Sequence, residues 1–100
     1  MNEVFLIGKV ISNVNFHFII NSKHISIARF NIKSLNGQII HIIAYDNLAD
    51  FVYSKLKLNN LVFIYGYLNQ KGVVVKELKN YEILISVNKF QKPLAKSVIL

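Results

Sequence analysis

The pattern of hydrophobic and polar residues changes period twice between residues 39 and 68. Residues 39–45 (IIHIIAY) are apolar apart from His41, as in a strand that is buried on both faces. The next apolar residues recur at helical spacing, and they are Leu48, Phe51, Val52 and Leu56. Residues 61–68 (LVFIYGYL) alternate strictly, with Val62 and every second residue after it on the core face. The segment therefore predicts a strand, a short helix and a second strand.

Short polar residues stand at both ends of the predicted helix. Asp46 and Asn47 offer side chains that can cap its first turn. Asn59 and Asn60 can adopt the left-handed backbone conformation that ends a helix. We therefore expect short connections between the helix and its two strands.

The residues before this segment predict further strands at 4–11, 16–20 and 25–33. In the run 25–33 the apolar residues change phase, which predicts a β-bulge near Ile27-Ala28. Asn36-Gly37 between two apolar runs predicts a tight type I′ hairpin.

Two hairpin tips are available after residue 68, at Lys71-Gly72 and at Lys79-Asn80. We predict the tip at Lys79-Asn80, with Gly72 as a bulge, because residues 81–90 then pair back over their whole length. The domain covers residues 1–92, and residues 93–100 form a short tail. A single helix between the third and fourth strands of an all-β chain predicts the five-stranded Greek-key barrel known as the OB-fold.

The charge balance of the chain is strongly basic. Its 100 residues include 12 Lys plus Arg against 5 Asp plus Glu, which gives a formal net charge of +7. This excess favours a polyanionic partner, with nucleic acid ahead of a membrane surface. The alternative is that the charge only keeps the protein soluble. Cysteine is absent, which excludes disulfides and thiolate metal sites and fits a cytoplasmic location.

Motifs for catalysis, metal binding or membrane insertion are not found. Asp46 and Asp50 suit the start of a helix, and the three histidines have no carboxylates at metal-ligand spacing. The sequence has no phosphate-cradling glycine loop and no nucleophile motif. Polar residues interrupt each apolar run well below the length of a membrane span. We expect a protein that is not an enzyme and that carries no cofactor and no metal.

Five short motifs carry a likeness to a known family. In chain order they are residues 2–10 (NEVFLIGKV), 27–32 (IARFNI), 42–45 (IIAY) with the helix that follows, 61–68 (LVFIYGYL) and 81–85 (YEILI). In this order and near this spacing they resemble the bacterial single-stranded DNA-binding protein family over residues 2–91. The resemblance implies an OB barrel that binds single strands and assembles into a dimer or tetramer.

The chain departs from that family in three respects. The loop between the second and third strands is only residues 35–38, tryptophan is absent, and the sequence ends KSVIL rather than in an acidic tail with a terminal Phe. A short OB domain without that tail also resembles primosomal replication protein N, which helps to load replication machinery. Plasmid- or phage-encoded forms are a further alternative.

The resemblance also implies which aromatic residues stack on bases. Tyr45 matches the aromatic residue of the family's third strand, and Tyr67 and Phe18 are the next candidates. A core or helix-capping role is the alternative for Tyr45. Packing within a hairpin is the alternative for Phe18.

Basic residues along the OB groove are candidates for phosphate contacts. His41 stands where the family carries a basic or polar residue, and a packed, hydrogen-bonded histidine is the alternative. The other candidates lie on the second strand and along the fourth strand and its tip: Arg29, Lys33, Lys71, Lys76 and Lys79. Lysines that are merely solvated are the alternative for these.

An oligomer interface is expected on a sheet face of the barrel. Phe63 and Tyr65 share a face opposite the core, and the family uses that sheet surface for assembly. The predicted interface consists of Val4, Leu6, Phe63 and Tyr65.

Together these observations predict sequence-nonspecific binding of single-stranded DNA in replication, recombination or repair, in a bacterial cytoplasm. Other replication proteins are further expected partners. Two alternatives stay open, a replication-restart accessory that acts by protein contacts, and RNA binding.

Overall fold

The computed structural model describes residues 2–18 and 26–81, and these form six strands and one helix. The elements in chain order are β1 (Glu3–Val10), β2 (Asn15–Phe18), β3 (Ser26–Ser34), β4 (Ile39–Tyr45), α1 (Asp46–Lys55), β5 (Leu61–Asn69) and β6 (Gly72–Asn80). Five strands close a barrel in the order β1-β3-β4-β6-β5, and β2 is added at the edge of β3. The predicted OB-fold is confirmed, with α1 between the third and fourth barrel strands.

The barrel closes where β1 pairs with two strands at once. Gly8 lies opposite Ser34 of β3 and opposite Val62 of β5. Strands β4 and β6 pair in parallel, with Ile42 opposite Val73, and the other neighbouring strands are antiparallel. Because both neighbours hold β1, the sheet has no free edge at this point.

The core is built from the inward positions of the barrel strands and from α1. Each barrel strand contributes at least one side chain that is at most 2% exposed, such as Val10, Phe30, Ile42, Ile64 and Val73. Ala49 and Val52 of α1 join the same cluster and are fully buried. Each large apolar side chain buried in this way stabilises the fold by about 1.5–3 kcal/mol.

The predicted bulge in β3 is wrong. Ile27 lies opposite Tyr45 and Ala28 opposite Ala44, so the register with β4 is continuous. The change of apolar phase arises because Ile27 is buried on the outward face while Ala28 is buried in the core. The irregularity lies instead between Tyr65 and Gly66 of β5, where Lys76 of β6 is the extra residue.

The hairpin at Asn36-Gly37 is confirmed, but its turn type differs from the prediction. The Gly37 N–H donates to the Ser34 carbonyl at 2.9 Å, and Gly37 has a φ of +90°. A type I′ turn also needs a positive φ at Asn36. In the described ranges the non-glycine residues with positive φ are Asp46 and Asn59. The turn therefore spans residues 34–37 and is followed by a left-handed glycine.

The β5–β6 hairpin turns at Gln70-Lys71, so the predicted tip at Lys79-Asn80 is wrong and the Lys71-Gly72 alternative is right. The Asn69 Oδ1 accepts hydrogen bonds from the N–H of Lys71 at 2.8 Å and of Gly72 at 3.1 Å. Because these bonds fix the turn, β6 forms the fifth barrel strand, between β4 and β5. The motif matched to that strand at residues 81–85 lies, from residue 82 onward, outside the described residues. So do the predicted domain limit and the tail.

The start of α1 is also held in a way that the sequence did not indicate. The helix begins at Asp46, whose φ is +54°, and Tyr45 occupies the cap position without a side-chain cap hydrogen bond. The Ser26 hydroxyl is buried, and it lies 3.2 Å from the Asp46 carbonyl and 3.0 Å from Asp50 Oδ1. It has one hydrogen, which it donates to one of these acceptors at a time. The helix therefore begins at Asp46, earlier than the predicted start near Leu48, and Ser26 joins β3 to its first turns.

Beyond the helix, Asn59 adopts the predicted left-handed conformation with a φ of +72°. Its N–H donates to the Val10 carbonyl at 2.8 Å, and the Val10 N–H donates to the Asn60 carbonyl at 2.9 Å. These two bonds join the loop after α1 to the end of β1. No helix in the described ranges has the length and apolar content needed to cross a membrane.

The Gly72→Ala variant tests the position of the β5–β6 turn. Gly72 has a φ of +148°, and a Cβ there would lie 2.3 Å from the His41 carbonyl oxygen. We expect the substitution to lower the free energy of unfolding by about 3 kcal/mol or more, measured by urea denaturation. Gly37→Ala is the matched control, because Gly37 also has a positive φ but a Cβ there meets nothing within 4 Å. It should cost only about 1–2 kcal/mol. Equal losses would contradict the close approach of Gly72 to β4.

Candidate nucleic-acid interface

A row of directly opposed residues crosses the outer surface of the barrel. From β3 to β1 the row consists of Arg29, Ile43, Val74, Tyr67 and Glu3. Residues that lie directly opposite in neighbouring strands share a sheet face, and Arg29 and Tyr67 are the predicted site residues in this row. Ile43 and Val74 between them are nearly fully buried although they lie outside the core cluster. Arg29 and Tyr67 are therefore on one surface, separated by an apolar floor.

The face formed by β3 and β4 brings together several predicted residues. Arg29 and Lys33 alternate with inward residues of β3, and His41 and Tyr45 do the same on β4. His41 lies opposite Asn31, and its Nδ1 is 2.8 Å from Asn31 Oδ1. This bond fixes the imidazole ring on the surface beside the basic residues. His41 is therefore hydrogen-bonded, as the alternative role predicted.

Tyr45 and Lys71 meet in one shallow depression although 25 residues separate them in sequence. The depression has a volume of about 320 Å³ and is lined by Tyr45, Asn69, Gln70 and Lys71. Gly72 brings the hairpin tip close to the backbone of β4 at His41. Proteins that bind single strands combine stacking aromatic rings with cationic groups, and this depression holds one residue of each kind.

The position of Tyr45 decides between its alternative roles. Its ring is half-buried on the outward face of β4, opposite Ile27, and it makes no cap hydrogen bond to α1. A core role and a helix-capping role are therefore both excluded. The stacking role stays a prediction.

Phe18 does not lie on this face. It is opposite Ser26, which is buried toward the core side, and Phe16 opposite Ala28 has the same orientation. The outward residues of β2 are Asn15 and His17, opposite Arg29 and Ile27. Phe18 is 65% exposed, but it belongs to the side of the barrel that carries α1. Phe18 therefore lies outside the β3–β4 face because β2 pairs in the other phase, and its stacking role stays a prediction.

Lys76 and Lys79 are also separated from Tyr45. Lys76 Nζ lies 3.5 Å from Glu3 Oε2 and 5.6 Å from the centre of the Tyr65 ring. Lys79 lines a cavity of about 110 Å³ with Phe5, Phe63, Tyr65 and Glu77. Both lysines were predicted on the fourth strand and its tip, and both lie on β6 because the hairpin turns earlier. They therefore belong to the face formed by β1, β5 and β6.

Tyr65 interacts with the acidic residues of this second face. A hydrogen bond with the Glu3 carboxylate raises the pKa of the Tyr65 phenol above its ordinary value, and desolvation adds to the effect. The Lys76 ammonium also lies over the Tyr65 ring. Aromatic and charged groups of both signs are thus interleaved here.

Half of the predicted oligomer interface lies on this face and half does not. Phe63 and Tyr65 point outward, and Phe63 stacks on Tyr81 with ring centres 6.0 Å apart. Val4 and Leu6 are partly buried and packed against the core rather than on this face, and their place in the interface stays a prediction. Their neighbours Phe5 and Ile7, opposite Tyr65 and Phe63, are the outward residues of β1. Over residues 4–7 both phases of β1 are apolar, and the sequence pattern therefore did not separate them.

The structure adds two polar residues to the β3–β4 face. Asn31 lies between Arg29 and Lys33 at the same outward phase, so strand alternation alone would have found it. His17 is found only from the register of β2 against β3. Among the residues that the structure describes, no three His, Asp or Glu side chains form a group that could hold a metal ion.

Comparison with known proteins identifies the fold. No protein-family model matches the chain, and no curated protein matches its sequence. The SSB domain of a Synechococcus sp. protein is structurally similar, with a TM-score of 0.69, 16% identity, and coverage of 78% of this chain and 93% of that domain.

Two further solved structures show the same likeness. A small single-stranded DNA-binding protein from Streptomyces coelicolor has a TM-score of 0.65 at 13% identity, over 78% of this chain and 90% of its own. A mitochondrial single-stranded DNA-binding protein from S. cerevisiae has a TM-score of 0.65 at 17% identity, over 79% and 92%. Identities this low establish the fold alone. The chain has the OB-fold in the form found in single-stranded DNA-binding domains.

Proposed function

We propose that this protein binds single-stranded DNA without sequence preference along the outer face of β3 and β4 and at the β5–β6 tip. The observation that carries the proposal is the shared depression of Tyr45 and Lys71. Arg29, Lys33 and His41 lie on the adjoining strands and extend the cationic and polar surface. The structurally similar proteins are named for the same ligand class, which supports the proposal.

The expected energetics follow from stacking and from phosphate neutralisation. Stacking of a base on an aromatic side chain contributes about 1–3 kcal/mol and tolerates any base. Each phosphate contact adds about −0.7 to the slope of log affinity against log salt concentration for single strands. Such a protein serves replication, recombination or repair by covering exposed strands. Competition between oligo(dT) and oligo(U) distinguishes DNA from RNA as the preferred strand.

We further propose that the β1–β5–β6 face joins copies of this chain into a homo-oligomer. Phe5, Phe63 and Tyr65 supply its apolar centre. Two acidic residues and two basic residues surround that centre, and they are Glu3, Glu77, Lys76 and Lys79. A patch with both charges is self-complementary under a twofold axis. It is less suited to a polyanion than the β3–β4 face is.

Tyr45→Ala should weaken binding to labelled oligo(dT) by about 1–3 kcal/mol, because one stacking platform is lost. The slope of affinity against salt should stay unchanged, since no phosphate contact is removed. Fluorescence anisotropy titrations at several NaCl concentrations measure both quantities. Tyr45→Phe keeps the ring and is the control, with near wild-type affinity. Absence of binding by the wild-type protein at low salt would reject the proposal and favour a role through protein contacts.

Lys71→Ala should reduce the steepness of the salt slope by about 0.7, the value of one phosphate contact. Lys79→Ala should leave the slope unchanged, because Lys79 lies with Phe5 and Phe63 on the other face. Lys55→Ala at the end of α1 is a second control of equal charge change. The same anisotropy series serves for all three variants. A reduced slope in Lys79→Ala with none in Lys71→Ala would reverse the assignment of the two faces.

Phe5→Lys should shift the sedimentation coefficient toward that of an 11.5 kDa monomer. The substitution places a charge in the apolar centre of the proposed interface, where the Phe5 ring is 65% exposed in the single chain. Leu35→Lys is the matched control, because Leu35 is 80% exposed in the β3–β4 turn. Sedimentation velocity measures both. A wild-type monomer, or equal dissociation by the two variants, would contradict this interface.

A further inference from the structure

A second depression lies on the α1 side of the barrel, between the β1–β2 loop and the end of the helix. Its volume is about 310 Å³, and its lining residues are Ser12, Asn13, Val14, Tyr53, Leu56, Lys57 and Leu58. This volume is near the lower limit for small-ligand sites, which are about 300–1,000 Å³. Tyr53 is 59% exposed at its rim. The depression is large enough for one flat group such as a nucleobase.

The Tyr53 ring is already held in place. It stacks on Phe16 of β2 with ring centres 4.4 Å apart and an angle of 23° between the planes. Phe16 is in turn packed against the core. A ring fixed in this way loses little conformational entropy when a base stacks on it. The exposed ring of Phe18, which has the same phase as Phe16 on β2, continues the aromatic surface.

Hydrogen bonds join a residue that lines the depression to the β3–β4 face. The edge of β3 is paired with β2 up to Arg29 and with β1 from Ile32 onward. Ser12 fills the gap between these pairings, because its Oγ accepts a hydrogen bond from the Asn31 N–H at 2.7 Å. The Asn31 side chain contacts His41 on the proposed interface. One hydrogen bond therefore links Asn31, whose side chain lies on the proposed interface, to Ser12, which lines the depression.

The chemistry of the lining matches a nucleotide. Tyr53 offers a stacking surface, and Ser12 and Asn13 offer polar groups to a base edge. Of the described residues that line the depression, Lys57 is charged and none is acidic. This charge suits a phosphate.

We propose that this depression is a second nucleotide-binding site, where a base of the strand that leaves the β3–β4 face stacks on Tyr53 and Lys57 contacts a phosphate. The inference rests on the proposed function. A nucleic-acid strand that leaves the β3–β4 face passes over the edge of β3 at Ser12 and reaches the side of the barrel that carries α1. The site therefore helps to determine how many nucleotides one copy of the chain binds.

The test compares oligo(dT) of two lengths, about 4 and about 16 nucleotides, the limits for one OB-fold. Tyr53→Ala should weaken binding of the long strand about 5- to 150-fold and leave the short strand unaffected. Tyr53→Phe keeps the stack on Phe16 and should bind as the wild type does. Lys57→Ala, which leaves that stack intact, should reduce the steepness of the long-strand salt slope by about 0.7. The matched Lys55→Ala should not change the slope.

Photo-crosslinking of oligo(dT) that carries 5-iododeoxyuridine locates the base directly, and we expect adducts at Tyr53 as well as at Tyr45. Binding with adducts confined to Tyr45 and Tyr67, or unchanged long-strand affinity in Tyr53→Ala, would overturn this site alone. Those results would leave the β3–β4 interface standing. Failure of the wild-type protein to bind any oligonucleotide would overturn the proposed function together with this inference.

Discussion

A small closed barrel gives each strand residue only two places, the shared interior or the outer surface. The five barrel strands of this chain must fill one core, so side chains such as Phe30, Ile42 and Ile64 take every second position. The remaining positions are the ones that can meet a ligand or a partner. Closure at Gly8, where β1 pairs with β3 and β5 together, enforces this division round the whole barrel. Among the residues of the barrel strands, binding chemistry is therefore restricted to the outward phase.

The close approach of Gly72 to His41 brings outward residues of β4 and the β5–β6 tip together in the candidate site. The hairpin tip is fixed internally by Asn69, and Gly72 places it against β4 at a distance that leaves no room for a Cβ. As a result Lys71 stands beside Tyr45, which is held at the end of β4 by the strand register and by the sharp entry into α1. The pairing of ring and ammonium thus depends on backbone packing between β4 and β6 rather than on either side chain.

The sequence predicted those features that local periodicity determines. The single helix between two strands was enough to predict the barrel. The candidates Arg29, Lys33, His41 and Tyr45, which came from the resemblance and the expected OB groove, all lie on the outward phase of β3 and β4. The errors concern contacts between distant segments. The tip was misplaced because the Gly72–His41 contact joins β6 to β4. Lys76 and Lys79 were therefore predicted on the fourth strand and its tip, whereas they lie on β6. Phe18 falls outside the β3–β4 face because the phase of a four-residue edge strand is set by its partner.

The two outer faces differ in how their charges are compensated, and this difference decides what each can bind. On the β1–β5–β6 face Lys76 lies within 3.5 Å of Glu3, and Lys79 shares a cavity with Glu77. An anionic strand there would have to displace carboxylates, whereas a second copy could exchange partners with them at little electrostatic cost. On the β3–β4 face His41 is held by the neutral Asn31, and the cavity lining beside Lys71 includes no carboxylate among the described residues. Lys71 is thus less compensated by carboxylates than Lys76 and Lys79 are, which supports strand binding at the β3–β4 face and assembly at the β1–β5–β6 face as the proposed roles.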